Sequence, residues 1–198
     1  MDGKVRRVWT APRGRAPHRV LAGVTMASTR LITLDDAPAL TALLQQNRAF
    51  MADWDPIRPE DYFTLEGQRG AIEEALGRYA EGVGVSHVIL DDRRIVGRVT
   101  LSNIVRGAFQ SCNVGYWVSR ADNGRGFATA AVGDIMRLTF NELRLHRIEA
   151  GTLLDNVASQ RVLERNGFVR FGVAPGYLKI AGIWQDHALY QVLNPTMR

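Results

Sequence analysis

The chain has 198 residues, of which 46% are hydrophobic, 23% charged and 8% aromatic. That composition excludes a disordered, collagen-like or fibrous protein, and the length lets one domain bury its own core. Cys112 is the only cysteine, and His18, His87, His146 and His187 are widely spaced, so an intramolecular disulfide and a short-spaced structural zinc site are excluded and no metal is expected. The net charge of +5 lies in residues 1–25, where Lys4, Arg6, Arg7, Arg13, Arg15 and Arg19 face Asp2 alone. With Pro12, Gly14 and Pro17 and no apolar periodicity, residues 1–25 read as a basic, flexible N-terminal arm. The arm is either an inert extension ahead of a natural start at Met26 or a segment making weak RNA contact. Residues 26–198 then form one domain. The uncharged run from Val20 to Ser28 is short for a signal peptide, and no run approaches the roughly 20 residues of a membrane span, so a cytoplasmic protein with no membrane partner is expected.

The pattern from Arg30 to Leu34 predicts a short strand. Asp35, Asp36 and Pro38 then start a helix that carries Leu40, Leu43 and Leu44 to about Asn47. Pro56 and Pro59 break the chain into a loop holding Asp53, Trp54 and Asp55. A second amphipathic helix spans Leu65 to Ala80, with Ile72, Leu76 and Tyr79 on one face. Val85 to Leu90 and Ile95 to Val105 read as an antiparallel hairpin turning at Asp91–Arg93, and Ser111 to Ser119 as the next strand. The loop Asn123-Gly124-Arg125-Gly126 opens a helix from Phe127 to Leu143. A strand at Arg147–Leu153 and a helix at Val157–Arg165 follow, the helix stopping at Asn166-Gly167. Two last strands, Phe168–Val173 with Tyr177–Ile180 and Trp184–Leu193, meet at Ala181-Gly182.

A glycine loop between a strand and a helix is an anion site in the making. Glycine lets the backbone approach a ligand closely, and the first free amides of the helix point at it. Neither a dinucleotide fingerprint nor a P-loop lysine is present, so taken alone the loop also reads as a tight turn. Around it stand Gly115-Tyr116-Trp117-Val118, Asp155-Asn156-Val157-Ala158-Ser159 and Glu164-Arg165-Asn166-Gly167-Phe168. Together these segments resemble the GNAT acyl-CoA N-acetyltransferases. Within that superfamily the similarity is nearest to the RimJ and RimL ribosomal-protein N-acetyltransferases, RimJ above all. It is carried by Asn47-Arg48-Ala49-Phe50, Trp54-Asp55-Pro56, Asn103 to Phe109, His146-Arg147-Ile148, Tyr177 to Ile180 and Gly182 to His187, and it spans Thr29 to Val192.

The resemblance implies a three-layer α/β/α GNAT fold, with a central mixed, mostly antiparallel sheet splayed between its fourth and fifth strands. It implies acetyl-CoA as co-substrate and an N-terminal alanine or serine of a protein as acceptor, a small-subunit ribosomal protein first among them, with a monomer or a homodimer as the assembly, the homodimer ahead. A small amine, such as an antibiotic or polyamine, is the alternative acceptor, and a ribosome-associated coenzyme A-binding factor without catalysis is the alternative of another class. Carried over, coenzyme A meets Tyr116, Trp117 and Val118 along the splayed strand and Asn123, Gly124, Arg125, Gly126, Phe127, Ala128 and Thr129 at the loop, with Asn156 and Ser159 beside it. Asn123 stands where the family places Gln or Arg.

The tyrosine that many members use as general acid is replaced here by Leu163. Ser159 is therefore assigned, as in RimL-like enzymes, to steadying the departing thiolate, with a solvated helix serine as the other reading. Asn156 either holds the cofactor arm or caps its helix. Glu149 is the candidate base, or an ion-pair partner of a neighbouring arginine. Trp54, Asp55, Tyr177, Trp184 and Asp186 are expected at the acceptor, with His187 as a further proton relay. Arg106 and Arg125 are candidate phosphate contacts, and Cys112 reads as a buried strand residue.

Overall fold

The computed structural model describes residues 28–197, so the predicted basic arm lies outside the described residues. Strands β1 (Ser28–Leu31), β2 (Val85–Asp91), β3 (Arg94–Val105), β4 (Ser111–Val118), β5 (Arg147–Leu153), β6 (Val169–Ile180) and β7 (Ile183–Leu193) make one sheet. Its order is β1-β2-β3-β4-β5-β7-β6. Every neighbouring pair is antiparallel except β4 with β5, which is parallel. Four helices cover it: α1 (Ala37–Met51), α2 (Leu65–Ala80), α3 (Phe127–Arg137) and α4 (Val157–Arg165).

Side-chain alternation along the strands sorts the core into two layers. On one face Ile89, Val99, Leu101, Val114 and Ile148 pack under Phe127, Val132 and Ile135 of α3 and Leu163 of α4. On the other, Val88, Ile95 and Trp117 pack under Leu40 and Leu43 of α1 and Ile72 of α2. The three-layer mixed sheet expected from the sequence is therefore present.

Three boundaries differ from the sequence reading, each for a local reason. The first strand ends at Leu31 because Asp36 accepts the Thr33 backbone N–H at 2.8 Å and pairs with Arg30 at 2.6 Å, which turns the chain into a short 3-10 turn at Leu34–Asp36. Helix α1 runs to Met51, since Pro56 and Pro59 restrict only themselves and the residue before each. Helix α3 gives way at Arg137 to a π-turn over Leu138–Glu142, where the Thr139 hydroxyl donates to the Ile135 carbonyl at 2.7 Å. The last two strands join into a hairpin in which β6 bulges between Arg170 and Gly172 and again between Ala174 and Leu178.

Candidate active site

Strands β4 and β5 pair over only three positions, Ser111 with Arg147, Cys112 with Ile148 and Asn113 with Glu149. Beyond them the strands separate, while β4 stays paired to β3 as far as Val118 and β5 to β7 as far as Leu153. Alternate backbone N–H and C=O groups of β4 after Asn113 therefore face a gap instead of a sheet neighbour. Unpaired main chain of this kind is a template for an extended ligand with amide groups of its own. Tyr116, Trp117 and Val118 all lie on this free stretch.

The glycine loop closes one end of the gap. Gly124 and Gly126 have φ of 78° and 87°, a left-handed backbone that a side chain would strain, and no atom lies within 4 Å of where a Cβ would stand on either. The Ala130 N–H donates to the Gly126 carbonyl at 3.0 Å, so the amides of Phe127, Ala128 and Thr129 precede the first intrahelical bond and point out of the helix end. Open glycines with three outward amides fit a pyrophosphate. The Phe127 side chain is buried in the core, so only its backbone is available to a ligand.

What holds the loop in place is a buried carboxylate. Asp122, 3% exposed, accepts from Arg94 at 2.7 and 2.9 Å and from Arg125 at 2.8 Å. Asp91 binds the same two arginines at 2.8 and 3.2 Å. Behind the loop, the Asn47 carboxamide accepts the Arg120 backbone N–H at 2.8 Å and donates to the Ser119 hydroxyl at 3.2 Å. Arg125 is thus engaged by carboxylates and lies over the Phe127 ring at 4.8 Å, while Arg106 donates to the Leu143 carbonyl. Sequence reading had no signal for the clamp, because Arg94 and Asp122 meet only once the β2–β3 hairpin has folded over the loop.

Arg94 holds the Asp122 carboxylate below its ordinary value, against the opposing pull of burial. A carboxyl group lowered on folding stabilises the fold where it is ionised in both states, above about pH 4, and that stability is lost as pH falls through the folded value. Asp122→Asn is therefore expected to lower Tm at neutral pH. The Tm gap to wild type should close as melting is repeated at pH values falling below about 4.

On the other side of the gap, the Tyr116 hydroxyl lies 3.0 Å from Ser159 Oγ and 3.1 Å from the Ser159 carbonyl oxygen. Burial pushes the Tyr116 phenol up to about 12, the bond to Ser159 drawing it back only partly, so it keeps its proton at neutral pH. Asn156 Oδ1 accepts the Ser159 N–H at 3.0 Å and caps α4, which commits that oxygen and leaves the amide nitrogen for other use. Glu149 pairs with Arg147 at 2.5 Å. Sequence reading placed Tyr116 at the site by its backbone alone; the meeting of its side chain with Ser159 joins residues 43 apart in the chain.

The residues expected at the acceptor gather around the β6–β7 hairpin. The Tyr177 and His187 rings pack at 5.5 Å, and Tyr177 Cε1 comes within 3.4 Å of the Cβ position of Gly151, where a larger residue would intrude. Asp186 accepts the Gly176 N–H at 2.8 Å and so fixes the bulge of β6. The Asp55 carbonyl accepts from Ala181 at 3.1 Å, and Asp55 pairs with Arg58 at 3.4 Å, which seats the proline-bounded loop against the hairpin turn. Trp54 and Trp184 are exposed on these two segments. Among the described residues no cluster of three or more His, Cys, Asp or Glu could hold a metal, and no helix is long and apolar enough to cross a membrane. Burial raises the Cys112 thiol to about 12, which keeps it protonated and inert.

A cleft between splayed parallel strands, ended by a glycine loop at a helix N-terminus, agrees with the comparisons to known proteins. Residues 29–169 match the family model for the acetyltransferase (GNAT) domain. The chain belongs to the GNAT acetyltransferase family. This GNAT chain is 40% identical over 168 residues to the probable N-acetyltransferase YjcK of Bacillus subtilis, covering 84% of its own length and 93% of that protein. It is 30% identical over 168 residues to the [ribosomal protein uS5]-alanine N-acetyltransferase of Escherichia coli, covering 84% and 87%. Among solved structures, the ribosomal-protein-S5-alanine acetyltransferase from Vibrio fischeri superposes with a TM-score of 0.83 at 32% identity, over 87% of this chain and 96% of that one. Mycobacterium smegmatis RimJ, solved in complex with CoA-disulfide, gives 0.83 at 28% identity, over 86% and 83%. The protein is accordingly an acyltransferase of the N-acetyl class.

Proposed function

We propose that this GNAT enzyme moves the acetyl group of acetyl-CoA directly onto the N-terminal amine of a ribosomal protein that begins with alanine or serine. The observation that carries the reading is the β4–β5 gap, which opens beside the Tyr116–Ser159 pair and ends at the glycine loop. The acceptor rests on the relatives, two of which are named for acetylating the alanine of ribosomal protein S5. A ribosomal acceptor places the reaction in the cytoplasm.

When bound, acetyl-CoA supplies a thioester whose carbonyl carbon is open to attack by an amine. The outward amides of Phe127, Ala128 and Thr129 hold its pyrophosphate, and the free main chain of Tyr116 to Val118 and the Asn156 amide nitrogen align the pantetheine arm. A backbone N–H of β4 donates to the thioester oxygen as negative charge builds there. The amine nitrogen bonds to the carbonyl carbon as the carbon–sulfur bond breaks and the electron pair leaves with sulfur. Ser159 passes its hydroxyl proton to that sulfur and regains one from the nitrogen, which sheds its surplus proton as the amide forms; the Tyr116 hydroxyl, 3.0 Å from Ser159 Oγ, holds the serine in place. Glu149 pairs with Arg147, and an α-amine with a pKa of about 7.7–8.0 needs little help to lose its proton before attack.

Free-thiol release from acetyl-CoA, followed with peptides beginning Ala, Ser or Met, a polyamine and an aminoglycoside, tests the reading. Turnover is expected with the Ala and Ser peptides. Their kcat/KM should rise with pH and level off above about 8, as the α-amine loses its proton. Turnover with the small amines alone moves the acceptor assignment to them, and acetyl-CoA binding with no turnover of any acceptor removes the catalytic reading.

A further inference from the structure

One arginine near the gap has no counterion. Arg98 lies on β3, where it pairs with Val88 of β2 and Trp117 of β4, on the sheet face covered by α1 and α2. Its Nε donates to Ser86 Oγ at 2.7 Å, and the two terminal nitrogens make no hydrogen bond to any described residue. Arg30, Arg58, Arg94 and Arg147 each have a carboxylate within 4 Å; Arg98 has none. The charged side chains that reach it at neutral pH are Arg58 and Glu74. Arg58 is matched by Asp55 and Glu74 by Arg78, which leaves the Arg98 charge uncompensated. Burial pulls the guanidinium down from its ordinary value, the mark of a cation largely withdrawn from water and without a carboxylate partner. Its terminal nitrogens keep contact with solvent, since among the described residues Gln68 Oε1 is the one buried side-chain atom without a partner.

An arginine in this state costs a fold stability, and an apolar side chain would serve packing better. Its position gives it a use. Gly115 of β4 sits opposite Thr100, one step along the same face, at the stretch of β4 that has already left β5. No atom lies within 4 Å of the Cβ position of Gly115, so this face of the gap is open. Arg98 is the diagonal cross-strand neighbour of Gly115, roughly 7–8 Å away between Cα atoms, and its side chain runs along β3 toward the row that Ser86 of β2, Thr100 and Gly115 of β4 share. With Nε tied to Ser86, the free end of the guanidinium is the fork that takes both oxygens of one carboxylate.

Resting on the acceptor reading above, we propose that Arg98 is a specificity-determining residue that binds a carboxylate on the acceptor, the side chain of a Glu or Asp close behind the reacting N-terminus. The ligand is an acidic peptide segment. Arg98 takes no part in moving protons or the acetyl group, so it acts on acceptor binding.

The test compares paired peptides that differ only by Glu against Gln at the second, third or fourth position, with wild type, Arg98→Gln and Arg98→Met. Wild type should show a KM about 10- to 100-fold lower for the Glu peptide at one of these positions, the range of a charge-assisted hydrogen bond, with similar kcat. Arg98→Gln should bring the ratio close to one, and Arg98→Met should melt at or above the wild-type Tm. A wild type indifferent to Glu, or a preference that survives in Arg98→Gln, overturns the assignment, as does a fall in Tm for both variants with an unchanged ratio. If wild type acetylates no peptide, the acceptor reading fails; calorimetric titration of the same N-acetylated peptide pairs still decides Arg98, because a Glu preference in binding that Arg98→Gln removes supports it and its absence refutes it.

Discussion

Replacing Ser159 with alanine is expected to lower kcat by about two orders of magnitude, the usual worth of one positioned proton donor, with the KM for acetyl-CoA little changed. The hydroxyl that steadies the leaving sulfur acts only as the carbon–sulfur bond breaks, so its loss falls on the chemical step rather than on binding. The helix stays capped, because the Ser159 group bound by Asn156 is its backbone N–H, and Tm should hold within a few degrees. Tyr116→Phe removes the partner at 3.0 Å from Ser159 Oγ and should cost about tenfold in kcat. The double variant should be no slower than Ser159→Ala alone, since two groups in one relay are not additive. Full additivity would mean that the two hydroxyls act separately. Unchanged kcat in Ser159→Ala would move the proton source elsewhere.

Gly126→Asp should raise the KM for acetyl-CoA by about 100-fold. Gly126 has φ of 87° and caps the N-terminus of α3, so any side chain there is strained by about 1–2 kcal/mol. The aspartate also sets a negative charge in the open space that the phosphates need. Gly126→Ala carries the strain without the charge and should give about a tenfold rise. The control is Gly70→Ala, in an exposed turn of α2 with open space around it, which should leave cofactor binding alone and stabilise the fold by about 0.5–1 kcal/mol. Saturation curves at fixed acceptor, with calorimetric titration of coenzyme A, separate these outcomes.

The features legible in the sequence were those coded by neighbours along the chain. Gly124 and Gly126 stand two apart ahead of an apolar helix, and the strand before them alternates cleanly between the two core layers, so loop, strand and helix could be read together. The order of elements followed from the same periodicities. The splay of β4 from β5 has no local code: it depends on where a parallel pair stops, three positions in, and entered only through family resemblance. Side-chain encounters across the fold were hidden for the same reason. Tyr116 and Ser159 lie on a strand and a helix that meet over the gap, and the Arg94–Asp122 clamp joins residues 28 apart. The Asn156 cap and the Glu149–Arg147 pair were visible as alternatives because each needs only residues two or three apart. The early ends of the first strand and of α3 were missed because one hydrogen-bonded carboxylate and one back-bonded threonine override the apolar pattern there.

The most direct measurement is mass spectrometry of small-subunit ribosomal proteins that lack N-terminal acetylation, after incubation with this enzyme and acetyl-CoA beside a polyamine and an aminoglycoside. A single acetyl group on the α-amine of a protein beginning with alanine or serine, absent with Ser159→Ala over the same interval, is the predicted result. Unmodified ribosomal proteins alongside an acetylated polyamine or aminoglycoside would contradict it.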